Sequence, residues 1–269
     1  MASVIPTVAV EVELAGVGGG WTDLAAGLDV VKAVGIQIRR GIRGSGPTDL
    51  LASPGTAVFC LRNNARTGKP LGYYSLYNSN KRSGWALGIG CRIRITDPDT
   101  ATVRTVFRGR IDRIKALPGK ALTRMVEVTA VDWLADALRW SVPPEIGEQV
   151  DQRGDQILTA LLAEMPDPPA ATTLDTYSES YPIALDTLES GKTPLTTALA
   201  QVAASEGAPV YLKADGTFRG ERRHTRLLAS SVWTLTDTEI LADGDMDMPS
   251  GRDEIINTVR VTTHAKVID

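Results

Sequence analysis

A side-chain period of two runs through the first 140 residues of this 269-residue chain and then stops. In Val8-Ala9-Val10-Glu11-Val12-Glu13-Leu14 large apolar residues alternate with small or charged ones, the pattern of a strand with one buried face. Further strand-like runs occupy residues 36–42, 56–61, 92–96, 103–114 and 124–130. Turn formers separate several of them: Ser53-Pro54-Gly55, Asp97-Pro98-Asp99 and Leu117-Pro118-Gly119. The run over 102–115 is long and contains Gly109, which predicts a bent sheet closing toward a barrel. Residues 132–140 then read as a short helix with Leu134, Ala135 and Leu138 on one face, stopped by Ser141-Val142-Pro143-Pro144.

Beyond those prolines the period changes. Ile157, Leu158, Leu161 and Leu162 are spaced as on a helix over residues 154–164, and residues 166–173 read as a loop. A second helix is predicted with Thr193 as N-cap, Pro194 in its first position, Leu195, Ala198, Leu199 and Val202 as its stripe, and Gly207 past its end. Residues 210–214, Asp215-Gly216 and residues 217–219 make a hairpin signal, and residues 232–235 and 255–263 are two more strand candidates. The expected organisation is therefore mainly β with a helical insertion. A β-barrel domain spans 1–140, an acidic helical module spans 141–206, and the hairpin and strands of a second, incomplete β domain span 207–269. The chain stops at Val267-Ile268-Asp269 directly after a strand, so it is expected to be longer in nature or to be completed by a partner.

Charge divides along the same boundary. Residues 1–140 carry 19 Lys and Arg against 11 Asp and Glu, whereas residues 141–269 carry 10 against 21. Opposite halves can bind each other or neighbouring copies stacked head to tail, and a basic half can meet nucleic acid. The nucleic-acid reading needs Arg39, Arg40, Arg43, Arg62 and Arg66 to converge on one face, with affinity falling steeply with salt.

Residues that could carry chemistry are few. Two cysteines, Cys60 and Cys91, exclude a disulfide framework, and neither His224 nor His264 has an evident serine or cysteine partner in sequence. No apolar run approaches the length of a membrane span, and the N-terminus shows no secretory signal. The glycines at 16, 18, 19 and 20 lack a following helix and fit a flexible loop better than a phosphate cradle. Asp243, Asp245 and Asp247 with Glu254 have the spacing of a calcium loop, but Met248 stands where glycine is needed, so a solvated acidic loop is the expectation. No catalytic, metal or cofactor residue is assigned, and the chain is expected not to be an enzyme. The segment over 72–85 holds four of the fourteen aromatics among polar and basic neighbours. Tyr73, Tyr74, Tyr77 and Trp85 are expected to form a subunit interface together with Arg39, Arg40 and Arg43.

Several motifs carry a resemblance. Gly55-Thr56-Ala57-Val58-Phe59-Cys60-Leu61-Arg62-Asn63-Asn64, the Tyr/Asn loop, and Gly90-Cys91-Arg92-Ile93-Arg94-Ile95 resemble the opening barrel of phage minor tail and tail-hub proteins. Phe107-Arg108-Gly109-Arg110-Ile111-Asp112 and Val126-Glu127-Val128-Thr129-Ala130-Val131-Asp132-Trp133-Leu134 are the most family-specific parts. Ala203-Ala204-Ser205-Glu206-Gly207, leading into Val210-Tyr211-Leu212-Lys213-Ala214-Asp215-Gly216, is similar to the helix and hairpin after the hub's middle module. Residues 253–261 resemble the strand entering its second barrel. One departure is Asn64-Ala65-Arg66-Thr67-Gly68, where the family has an aspartate-glycine turn.

The resemblance implies a virion protein of the tail tip, assembled in the host cytoplasm: a homotrimer presenting a sixfold-like ring that closes or continues the tail tube. Its implied partners are a distal tail or tube protein, the tape-measure protein, and tail-tip or receptor-binding proteins, with DNA as non-specific cargo. The alternative from another functional class is a cell-wall-degrading or glycan-binding tail protein, which needs a carboxylate pair in a cleft or an exposed aromatic platform over residues 73–85.

Overall fold

The computed structural model describes residues 6–230 apart from 17, 27, 44–48, 66–67, 120–122, 144–145, 187, 190 and 226–227. The fold is mainly β with a helical insertion. Seven strands of the first region form one antiparallel sheet: β1 (Thr7–Val12), β2 (Thr22–Asp23), β3 (Gln37–Gly41), β4 (Ser53–Arg62), β5 (Gly90–Thr96), β6 (Val103–Leu117) and β7 (Met125–Val131). Their order is β2-β1-β5-β6-β7-β4-β3. Alternation sets the faces: in β7 Val126, Val128 and Ala130 are buried, while Met125, Glu127, Thr129 and Val131 are less so. The core beneath holds Val10, Phe59, Leu61, Ile93, Phe107 and Ile111.

β6 bends the sheet. Its first half, through Arg110, pairs with β5, and its second half, from Arg110 onward, pairs with β7, with a register shift in each ladder. The change of partner requires Gly109, because a Cβ there would overlap the carbonyl oxygen of Val131. The expected barrel is only partly closed. No ladder joins β1 to β3 among the described residues. Instead, residues 22–31 cross between the two sides: Leu24 N donates to Val10 O at 2.7 Å, and Val31 N donates to Cys60 O at 2.8 Å. A 3-10 turn (Lys32–Val34) and Gly35, at φ 79°, then break the extended conformation between that crossing segment and β3. Ser53-Pro54-Gly55, read from sequence as a turn, begins β4; the pairing with β3 shifts register opposite it, at a bulge where proline's missing N–H is tolerated.

Helix α1 (Trp133–Arg139) starts where expected, with Asp132 Oδ1 accepting from Leu134 N at 3.1 Å. Its buried face is Trp133, Leu134, Ala135 and Ala137, whereas Leu138, expected inside, is exposed.

The remaining described elements are β8 (Gln149–Arg153), α2 (Gly154–Ala163), β9 (Ala171–Leu174), β10 (Ser180–Ala184), α3 (Leu195–Glu206), β11 (Val210–Leu212) and β12 (Thr217–Gly220). Both helices lie within the predicted spans, with Pro194 at the N-cap of α3 rather than inside it and Gly207 left-handed at its C-cap. Strands β8, β9 and β10 are additions to the sequence reading, and β9 occupies part of the predicted loop. The hairpin β11–β12 packs with the helices: β12 runs parallel to β9, and Val210, Leu212 and Phe218 share a core with Ile157, Leu158 and Leu199. Trp133 of α1 joins that core edge-on to Phe218, with ring centroids 5.5 Å apart. The strand candidates at 232–235 and 255–263 and the acidic loop Asp243, Asp245, Asp247 and Glu254 lie outside the described residues.

Candidate assembly surface

The aromatic segment expected at an interface is for the most part folded inward. Tyr74 and Trp85 are fully buried, with ring centroids 5.1 Å apart in an edge-to-face pair. Trp85 Nε1 donates to Tyr74 O at 2.9 Å, and Tyr74 N donates to Asn63 Oδ1 at 2.9 Å. The Tyr74 hydroxyl donates to Asp29 Oδ2 at 2.6 Å and accepts from Arg82 Nη1 at 2.9 Å. Lys69 forms an ion pair with the same Asp29 carboxylate. Burial first, then the neighbouring Asp29 charge, pushes the Tyr74 phenol well above its ordinary range, so it stays a donor. Tyr74 and Trp85 therefore anchor the loop over residues 68–89 and present nothing to a partner. Tyr73 is half-buried beside Lys69 and Arg82, and Tyr77 is completely exposed.

The three expected arginines lie along or just after the edge strand β3. Arg39, Arg40 and Arg43 are exposed, and among the described residues β3 pairs with β4 alone. A free edge carrying arginines is protected from indiscriminate pairing and open to an acidic partner. Of the other arginines considered, Arg62 donates from Nε to Leu28 O at 3.1 Å, and Arg66 is outside the described residues.

Arg40 also faces Asp132, the cap of α1. Burial pushes the Asp132 carboxyl up to about 6, against the pull of the Gly55 and Leu134 N–H groups and of Arg40. A folded-state value above the ordinary 3.8 means that the folded chain holds this proton more tightly than the unfolded chain does. The stability it contributes is present below about pH 4 and is lost as pH rises through about 6, by about 3 kcal/mol in all. Asp132→Asn keeps a capping oxygen and removes the titration. Denaturant unfolding of both proteins from pH 4 to 7 is expected to show Asp132→Asn gaining on the parent across that window; a constant difference would refute the assignment.

A cleft of about 370 Å³ is lined by Glu13, Trp21, Arg108, Arg110, Asp136 and Asp167, among others. Arg110 is paired with Asp167. The Arg92 guanidinium lies 4.3 Å from the Trp21 ring centroid. Glu13 is buried and accepts from Gly18 N at 3.3 Å, while burial pushes the Asp136 carboxyl above its usual range. Sequence spacing gave no reason to group Glu13, Trp21 and Asp136, because only the sheet and α1 bring them together. Arg92 and Arg94 also hold the buried Glu11 carboxylate: burial works upward on it, but their hydrogen bonds outweigh that and keep it below the usual carboxylate range.

Among the described residues, no group of three or more His, Cys, Asp and Glu could hold a metal ion, and no helix is long and apolar enough to cross a membrane.

No family model matches this sequence, and no curated protein matches it. Solved structures do. The 43 kDa tail protein of prophage MuSo2 from Shewanella oneidensis is 16% identical and aligns with a TM-score of 0.53, covering 80% of this chain and 54% of that one. A tail protein from Neisseria meningitidis MC58 is also 16% identical, with a TM-score of 0.47 over 81% of this chain and 51% of that one. A component of the type VI secretion system of E. coli is 10% identical, with a TM-score of 0.41 over 82% and 48%. The chain spans about half the length of these proteins. Four-fifths of the chain thus shares the fold of a prophage tail protein.

Proposed function

We propose that this chain is a structural, non-enzymatic subunit of a phage tail tip, part of a hub ring that closes or continues the tail tube and links it to the host-binding apparatus. The observation that carries the reading is the fold shared with the MuSo2 tail protein over most of the chain. The exposed, basic edge of β3 supports it, since a hub subunit needs a surface that accepts another tail component. In this reading three copies form a sixfold-like ring, DNA passes through it without base-specific contact, and the contacts above and below are a tube protein, a tape-measure protein and tip or receptor-binding proteins. The protein resides in the virion and assembles in the host cytoplasm.

The cleft holding Glu13, Asp136 and Trp21 favours one second reading, a glycan-binding or cell-wall-degrading tail protein. Light scattering at low and moderate salt, with electron microscopy of any particle, separates the two. A trimer or hexamer with a central channel, weakened by added salt, is the expected outcome. A monomer under all conditions that cleaves cell-wall glycan, and loses that activity in Glu13→Gln or Asp136→Asn, would replace it.

A further inference from the structure

Two strand edges and an apolar cavity meet where the large sheet fails to close. β1 pairs with β5 along its whole length, but β2 covers its other edge only at Glu11 and Val12, with one more bond into Val10 O. Among the described residues β3 pairs only with β4. Between them lies a cavity of about 330 Å³ whose lining includes Val8 and Val10 of β1, Ile36 and Ile38 at β3, and Ile93 and Ile95 of β5. Backbone groups at residues 7–9 and along β3 therefore flank an apolar slot and pair with no other strand among the described residues. A strand edge is a template for a further strand, with main-chain bonds giving affinity and alternate side-chain pockets giving specificity.

Charge says which strand. From residue 30 to residue 43 the chain carries Lys32, Arg39, Arg40 and Arg43 and no carboxylate. All four cations are exposed, and Lys32 lines the slot itself. A strand seated here puts one face into the apolar slot and turns the other toward these cations. We propose that the seam is a docking site for an extended segment of a partner protein in which apolar residues alternate with Asp or Glu. A second copy fits less well. β3 against another β3 would oppose like charges. Among the short strands of the acidic region, β8 contains Asp151 at φ 51° and β10 contains Pro182, so neither supplies a regular extended strand. The inference rests on the sheet and its rim, and stands or falls independently of the tail-tip reading.

The test titrates the full chain with a fluorescent peptide of about eight residues alternating valine and glutamate. The controls are an alternating valine–lysine peptide and a block peptide of the same valine and glutamate content. The expected result is binding about tenfold or more tighter than either control, corresponding to at least about 1.4 kcal/mol. Hydrogen exchange is expected to slow at both residues 7–9 and 37–40, which charge attraction alone would not produce. Val8→Glu is expected to abolish binding. Arg39→Glu, on the exposed face, is expected to weaken it about tenfold with an unchanged melting temperature, so the test does not depend on Val8→Glu folding. Equal binding of the block peptide, protection at one edge only, or no binding would overturn the proposal. So would concentration-dependent self-association of the chain that Arg39→Glu abolishes, which would make a second copy the occupant.

Discussion

Gly109→Val is expected to lower stability by about 3 kcal/mol or more, or to prevent folding outright. The added Cβ collides with backbone, the Val131 carbonyl, and not with a side chain that could rotate away. Relief requires moving β6 off β7 at the residue where β6 changes partner, so both ladders are disturbed together. For a chain of this size the loss corresponds to a melting temperature lower by roughly 6–12 °C. Gly147→Ala is the matched control, because a Cβ there meets nothing within 4 Å and its backbone angle is ordinary. Equal melting temperatures for the two variants would show that β6 does not need close approach at that corner.

Asp29→Ala is expected to cost about 3 kcal/mol and to release one loop rather than the whole sheet. Asp29 is only 1% exposed, and its carboxylate holds both the Tyr74 hydroxyl and the Lys69 ammonium. Removing it leaves a partly buried ammonium without its counter-charge and Tyr74 with Arg82 as its remaining side-chain partner. Hydrogen exchange should therefore accelerate over residues 68–89 and stay slow in β6 and β7. Asp29→Asn, which can still accept from Tyr74 but cannot pair with Lys69, should fall between the two. Uniform acceleration across β4, β6 and β7 would mean that Asp29 supports the sheet itself and would contradict the loop assignment.

How much of this was legible in the sequence depended on distance along the chain. β7 could be read directly because Val126, Val128 and Ala130 alternate without interruption. Helix α3 was legible from its stripe and Gly207, both local signals. Strands β8, β9 and β10 were not, being four or five residues long and interrupted by Asp151 in the left-handed region and by Pro182. Tyr74 and Trp85 looked like surface residues because their sequence neighbours are polar; what buries them is the core beneath the sheet, with Asp29, 45 residues away, holding the Tyr74 hydroxyl. Glu13 and Asp136 came together for the same reason, through a cleft that no spacing rule describes. Arg39, Arg40 and Arg43, grouped from sequence as interface residues, are exposed along or just after β3.

The anchoring of the loop over residues 68–89 has a consequence for conformational entropy. Tyr77 is wholly exposed, yet Tyr74, three residues before it, and Trp85, eight after it, are fixed in the core. The backbone that carries Tyr77 has already given up much of its freedom when the chain folds. A partner meeting Tyr77 would have one side chain to immobilise and not the whole loop, so contact area at that point would convert to affinity with little lost to ordering.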